Sequence, residues 1–375
     1  MKIDELKREL VKYMEETHRR RYHRNFFGCL TTLLVEDGPV TQERIMELTG
    51  YSKASVSLTL NKLQLTLPIK TLKIMGDRRH YYEYRGGPEQ FLVDILERRT
   101  EVPDIDMELI HTIHEKAMAK VKEHPSYEKL ENYLRELHLF LRLMHSIRKK
   151  NFNKFKTTLK SGSFQKLNFP EVSDINYRQI LNFLNDKRTS GKDNTMKNGD
   201  AKDNQPWDYI ELKREYFRSI KTGLNPLYAQ SVANLVLVVH DVIIEKATTQ
   251  EAIQESTQLP RSTISDVLSL ACDEGIIQVE KVHGFRTRIY IPALSLLELI
   301  LNYYDNACVY ALTIQKKIRD LLNRLKDITP RDSEFMNFHG KLIELEKAFV
   351  ITEKFTTRAK TEFIQELMNE YAGQK

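Results

Sequence analysis

From about residue 24 the apolar positions recur in short blocks at helical spacing, separated by breakers. Phe26, Phe27, Leu30, Leu33 and Leu34 make one face, and Gly38-Pro39 stops that helix. Thr41 has N-cap chemistry for a second helix, with Arg44 where a capping box would place an acid. Ile45, Met46 and Leu48 face inward, and Gly50 ends it. Ser52 caps a third helix to about Gln64 that buries Val56, Leu60 and Leu63. The period then shortens to two. IKTLKI (69–74) and HYYEY (80–84) read as strands around a turn at MGDRR.

Three helices and a hairpin is the order of a winged helix-turn-helix, and the short TGYS connection suits a third helix that projects outward. The pattern occurs twice. TQERIMELTGYSKASVSLTL, from Thr41, aligns without gaps on TQEAIQESTQLPRSTISDVL, from Thr249, at an offset of 208, with thirteen identities over positions 41–82. They include Ile45 with Ile253, Ser57 with Ser265, Lys73 with Lys281, Gly76 with Gly284, Arg78 with Arg286 and Tyr82 with Tyr290. In the second copy Leu235, Val238, Val239 and Val242 mark the first helix. Pro260 opens the third, where proline is tolerated, and IIQVEKV and RIYI flank HGFRT. The register runs on through Tyr127 with Phe335, Leu134 with Leu342 and Leu137 with Leu345.

The expected architecture is therefore mainly α: two winged helix-turn-helix domains (about 24–86 and 231–292) related by a pseudo-two-fold within one chain. Amphipathic helices over about 88–99, 105–123, 126–160, 293–326 and 333–371 read as association segments with no charge at the centre of their stripes. The domains divide as 1–167, a short helix (about 177–185) and linker within 168–208, and 209–375. Residues 186–206 have one large apolar side chain, Met196, too little to offset ordering entropy. As a coil this tether spans on the order of 25 Å.

Of the 375 residues 41% are apolar and 29% charged, which suits a soluble globular protein. Apolar runs fall short of the roughly 20 residues that span a bilayer, and MKIDELKREL lacks the core of a signal peptide. Three scattered cysteines form no disulfide framework. A cytoplasmic, nucleoid-associated location is expected. The net charge of +6 permits nucleic-acid binding without requiring it. No phosphate loop, nucleophile elbow or HExxH is present, so no enzyme activity and no cofactor are expected. His111 and His114 share a helix face with Glu108 and Glu115, but no second cluster in sequence completes a shell, so no metal is expected. The basic runs HRRRYHR (18–24) and RKKNFNKFKTTLK (148–160) read first as solvated helix faces, and second as phosphate contacts.

YSKASVSLTLNKL followed by GDRRHYYEY resembles the MarR superfamily of DNA-binding transcriptional regulators, most closely its GbsR-type branch. The likeness covers about residues 22–100. The second copy keeps Arg286 but has Phe285 in place of the acid at Asp77 and Thr287 in place of Arg79. Members usually act as homodimers reading two half-sites, so the resemblance implies a fused dimer that binds double-stranded DNA and controls transcription. Recognition helices at about 52–64 and 260–272 would then enter the major groove. Lys53, Ser55, Ser57, Asn61 and Lys62 in one, and Arg261, Ser262, Thr263 and Ser265 in the other, would meet bases or phosphates. The wings would add Arg78, Arg79, Arg286 and Arg288 to the minor groove or backbone, with Lys73 and Lys281 beside them. The family also implies an unidentified small-molecule effector, for which no residue here is specific. A scaffold or chromosome-associated protein using these domains for protein contacts is the alternative. Further self-association is left open.

Overall fold

The computed structural model describes residues 3–18, 25–88, 90–91, 93–94, 107–160, 206–223, 230–281, 288–328 and 332–373, and only the backbone of 155–160, 281 and 373. The described chain is mainly helical with two small antiparallel sheets. The helix expected at 177–185, the 186–206 segment except Pro206, and the second wing's HGFRT turn lie outside these residues.

The first run opens with α1 (Ile3–His18), which the sequence reading omits although Leu6, Leu10, Val11 and Met14 recur at helical spacing and are buried. Then come α2 (Phe26–Val35), α3 (Gln42–Thr49) and α4 (Lys53–Thr66). The Thr41 hydroxyl accepts from Arg44 N at 3.2 Å and the Ser52 hydroxyl from Ser55 N at 3.3 Å, so both expected N-caps form. Gly50 ends α3 at φ 73°, a left-handed conformation that suits glycine. Strands β2 (Ile69–Lys73) and β3 (His80–Tyr84) pair from Ile69–Tyr84 to Lys73–His80, and β1 (Val40–Thr41) adds a short third strand on β3. Two residues leave no alternation to read, which is why β1 escapes sequence analysis. Tyr82 and Tyr84 alternate into the core with Leu60, Leu63 and Ile69.

The second run repeats this order: α7 (Trp207–Gly223), α8 (Gln230–Glu245), α9 (Gln250–Thr257), α10 (Arg261–Asp273), β4 (Ile277–Lys281) and β5 (Arg288–Pro292). Thr249 caps α9 through Ala252 N, and a Thr248–Tyr290 bridge stands where Val40–Tyr82 does in the first sheet. Gln258 takes φ 58° at the place of Gly50, an unfavourable region for a residue with a Cβ. In each run the last three helices and the hairpin are compatible with a winged helix, with one further helix before them.

Between and after the runs lie two helical hairpins, α5 (Met107–Lys120) with α6 (Pro125–Lys160), and α11 (Leu296–Leu325) with α12 (Ser333–Gly373). Each packs on the opposite run. Ile110, Ile113, Tyr127 and Leu134 share a core with Tyr209, Tyr216 and Val242 of α7 and α8. Ile314, Ile318, Leu321, Phe338 and Leu342 share one with Leu6, Leu10 and Met14 of α1. The hairpins meet where Phe152 joins Ile351 and Phe355. The Tyr133 and Tyr216 hydroxyls each lie 2.7 Å from His240 Nδ1, and burial pushes that imidazole down to about 4, keeping it neutral.

The expectation of uncharged stripes is corrected here. Lys360 is buried and reaches Asp305 at 2.5 Å, because its partner stands at the exposed edge of α11. The basic runs also differ from solvated faces. His18 is buried, stacked on Phe27 and hydrogen-bonded to Tyr310, while residues 19–24 lie outside the described chain. In the other run Phe152 and Asn151 are buried, the Asn151 amide donating to Glu362 at 3.1 Å. An aromatic or amide among lysines had helical neighbours to pack against, which charge counting does not register.

Glu9 ties α1 to α11, accepting from Lys317 at 2.5 Å and Arg324 at 2.7 Å. The Arg324 hydrogen bond, then that of Lys317, holds its carboxyl down to about 2 from an ordinary 4.5. A depressed acid stabilises the fold above its unfolded pKa and loses that contribution as pH falls through the folded one. Glu9→Gln should therefore lower Tm at pH 6, with the difference from wild type shrinking between about pH 4.5 and 2. A pH-independent difference would show that the ion pairs contribute nothing.

Candidate nucleic-acid interface

Orientation of the first helix pair begins at Arg44, whose guanidinium bridges Asp4, Glu36 at 2.9 Å and Glu47 at 3.2 Å. The position that lacked a capping-box acid thus clamps α3 to α1. Arg8 Nε donates to the Glu47 carbonyl at 3.2 Å, and Arg214 Nε likewise to the Glu255 carbonyl at 3.1 Å. α2 approaches the turn before α4 at Gly28, where a Cβ would lie 2.3 Å from the Tyr51 hydroxyl oxygen. With Val56, Leu60 and Leu63 buried, the other side of α4 is left to solvent.

On that side Lys53, Ala54, Leu58 and Asn61 are exposed, while Ser55, Ser57 and Lys62 are half-buried. Ser55 differs from a free surface hydroxyl: its oxygen accepts from the Ser52 hydroxyl at 3.0 Å. Its own proton remains for an outward acceptor. On α10, Arg261, Ser262, Ser265 and Asp266 are exposed and Thr263 is half-buried. Arg261 pairs with Glu251 at 3.2 Å, both side chains largely in solvent, a weak surface bridge. Lys53 has no ion-pair partner among the described residues. The α4 surface is thus positive at its N-terminus, whereas α10 carries one paired cation and two exposed acids, Asp266 and Asp273.

The first wing is built more tightly than its exposure implies. Gly76 turns the chain at φ 86°, and Asp77 N donates to the Ile74 carbonyl at 3.0 Å. Asp77 accepts from the Arg79 backbone N–H at 2.9 Å, Arg79 Nε at 2.9 Å and Arg79 Nη2 at 2.6 Å. The Tyr81 hydroxyl donates to the same carboxylate at 2.7 Å, and its ring lies 5.6 Å from the Arg79 guanidinium carbon. Those bonds, Arg79's first, hold the Asp77 carboxyl well below the usual range. Arg79 is consequently fixed in one direction. Arg78 is exposed, with no ion-pair partner among the described residues, and Lys73 is exposed opposite His80. In the second wing only the stem is described: Arg288 is exposed, the backbone of Lys281 pairs with it, and Arg286 lies outside.

Sequence reading misses the role of Tyr81 as the third member of the wing lock. Its signal is the period of two, which puts Tyr81 opposite the inward Tyr82 and Tyr84. The surface also has an apolar component. Leu58 is 60% exposed, Leu65 80%, Ile74 48% and Met75 fully so.

Among the described residues no helix is long and apolar enough to cross a membrane. No protein-family model matches the chain, and no curated protein matches it either. A solved structure described as the crystal structure of a transcriptional regulator aligns with 41% of this chain and 97% of its own, at 20% identity and a TM-score of 0.27. A likeness that slight carries no argument about fold or function.

Proposed function

We propose that the chain is a double-stranded DNA-binding transcriptional regulator, a tandem winged-helix protein whose two runs act as the halves of a dimer. The observation that carries this reading is the first wing, where an arginine is held outward by its own carboxylate and tyrosine beside an exposed helix face bearing Lys53, Ser57 and Asn61. Holding a cation in a fixed direction reduces the entropy lost when it enters a narrow groove of negative potential. Joining both readers in one chain makes the second contact intramolecular. Recognition helices about 34 Å apart would meet successive turns on one face of a duplex. The half-sites are unequal in this reading, since α10 presents Asp266 and a paired Arg261.

The test is binding to random duplex DNA at several salt concentrations, with sequencing of the retained fraction. Affinity should fall steeply with salt, at a log–log slope of about −0.9 per phosphate contacted. The selected site should have two dissimilar halves. A salt-independent affinity, or retention without sequence enrichment, would sink this reading. Exposed Leu58, Leu65, Ile74 and Met75 favour a second one, in which the same face docks a protein. That reading requires the duplex to be ignored and Leu65→Asp to abolish partner capture.

A further inference from the structure

The α5–α6 hairpin holds a group of side chains with no role in the reading above. On α5, the nearest ligand atoms of His111, His114 and Glu115 lie within 4.8 Å of one another. From α6, His138 brings a fourth group: its ring centroid is 5.6 Å from that of His111. Glu131, also on α6, is 3.0 Å from His114 Nε2, so that nitrogen donates to the carboxylate, and Nδ1 is the ring atom left to bind a cation. A carboxylate behind an imidazole is how metal-binding histidines are oriented and made more basic. The sequence expectation of no metal rested on one helix alone. The antiparallel packing of α6 supplies what that helix lacks.

An independent observation comes from the other hairpin. At the offset of 208 its buried positions match those of α5–α6: Ile318 for Ile110, Leu321 for Ile113, Leu342 for Leu134 and Leu345 for Leu137. At the same offset Arg319 stands for His111 and Glu346 for His138. Those two form an ion pair, Arg319 Nε to Glu346 Oε1 at 2.5 Å, that links α11 to α12. The first hairpin has two imidazoles facing each other at this position, with Glu115 beside them. Two neutral imidazoles cannot attract each other as an ion pair does, but both can donate to one cation. The equivalence of the hairpins rests on the repeat proposed above, while the ligand geometry does not.

We infer that His111, His114, Glu115 and His138 form a binding site for a borderline divalent transition-metal ion, zinc being the natural probe, that bridges α5 to α6. Three imidazoles and a carboxylate suit that class and are poor ligands for calcium or magnesium. A tetrahedral ion with bonds of about 2.0–2.1 Å sets donor atoms about 3.4 Å apart. His111 and Glu115 are exposed, so their side chains are free to turn toward His138 as the ion binds. The ion would stiffen a hairpin that packs on the second winged-helix run, α5 also joining α7 through Lys116–Glu215 at 2.7 Å and Lys120–Asp208 at 2.6 Å.

The experiment is zinc titration of the full-length, untagged chain against a chromophoric chelator, with melting curves at each zinc level. One equivalent should bind, and Tm should rise by about 3 °C at a hundredfold excess over Kd. His111→Ala and His138→Ala should each weaken zinc binding about tenfold or more, while His145→Ala leaves it unchanged. His111→Arg combined with His138→Glu copies the other hairpin. It should abolish the zinc response yet melt no lower than the metal-free wild type, which separates loss of the site from loss of the fold. Absence of saturable binding at micromolar zinc overturns the assignment, as does full affinity in either alanine variant or in the double exchange. None of these readouts involves DNA, so the site and the regulator reading fail separately.

Discussion

Arg78→Ala with Arg79→Ala is expected to weaken DNA binding by on the order of 100-fold, through loss of two groove contacts. Lys187→Ala with Lys192→Ala, in the polar 186–206 segment, should change affinity less than about threefold, because charges that make no groove contact act only through a screened field. Equal effects would remove the wing from the interface. A sharper separation comes from Asp77→Ala. If charge alone mattered, deleting an acid beside two arginines would tighten binding to a polyanion. In the proposed complex the five hydrogen bonds converging on Asp77, from Arg79 and Tyr81, orient the reading group. The same substitution should then weaken binding about tenfold, since a freed Arg79 pays rotamer entropy on insertion. Tyr81→Phe should move in the same direction by a smaller amount. Tighter binding of Asp77→Ala at every salt concentration would assign the wing a purely electrostatic role.

Lys213→Met should destabilise the fold by about 3–5 kcal/mol, chiefly the cost of leaving buried Asp241 without its cation, since Glu245 keeps Lys129 at 3.7 Å. Lys213 is 2% exposed and lies 2.7 Å from Asp241 and 2.6 Å from Glu245. Tyr209 donates to Glu245 at 2.7 Å and Ser256 to Asp241 at 2.6 Å, so the cluster joins α7, α8 and α9. Urea unfolding at neutral pH measures the loss. Adding Asp241→Leu and Glu245→Met to Lys213→Met should recover at least half of it, because the penalty comes from unpaired charge and not from missing attraction. No recovery would mean that packing by the lysine stem dominates. Lys7, on α1, is a useful contrast: it reaches Glu36 and Glu334, each at 3.1 Å, but Glu334 is 51% exposed. Water can relax around that carboxylate, so Lys7→Met should cost only about 1–2 kcal/mol.

Local signals along the chain were sufficient for much of this architecture. Thr41, Ser52 and Thr249 are short polar side chains placed before apolar-periodic stretches, and each accepts the expected backbone N–H. IKTLKI and HYYEY alternate, and they pair as a hairpin with Tyr82 and Tyr84 inward. Capping and alternation are properties of neighbouring residues, which is why they can be read in one dimension. α1 was legible too, from Leu6, Leu10 and Met14, but its flanking charges masked it.

What sequence alone determined, then, is α2–α4, α8–α10, the hairpin strands and the faces they bury, but not α1, α7 or β1, because hydrophobic periodicity and capping act over a few residues. Tertiary structure alone decided which hairpin packs on which run, that Arg79 and not Arg78 is locked to Asp77, and that His138 stands beside His111. Those facts depend on distances between residues up to hundreds of positions apart. Side-chain partners across helices are chosen by packing geometry, for which linear spacing has no term.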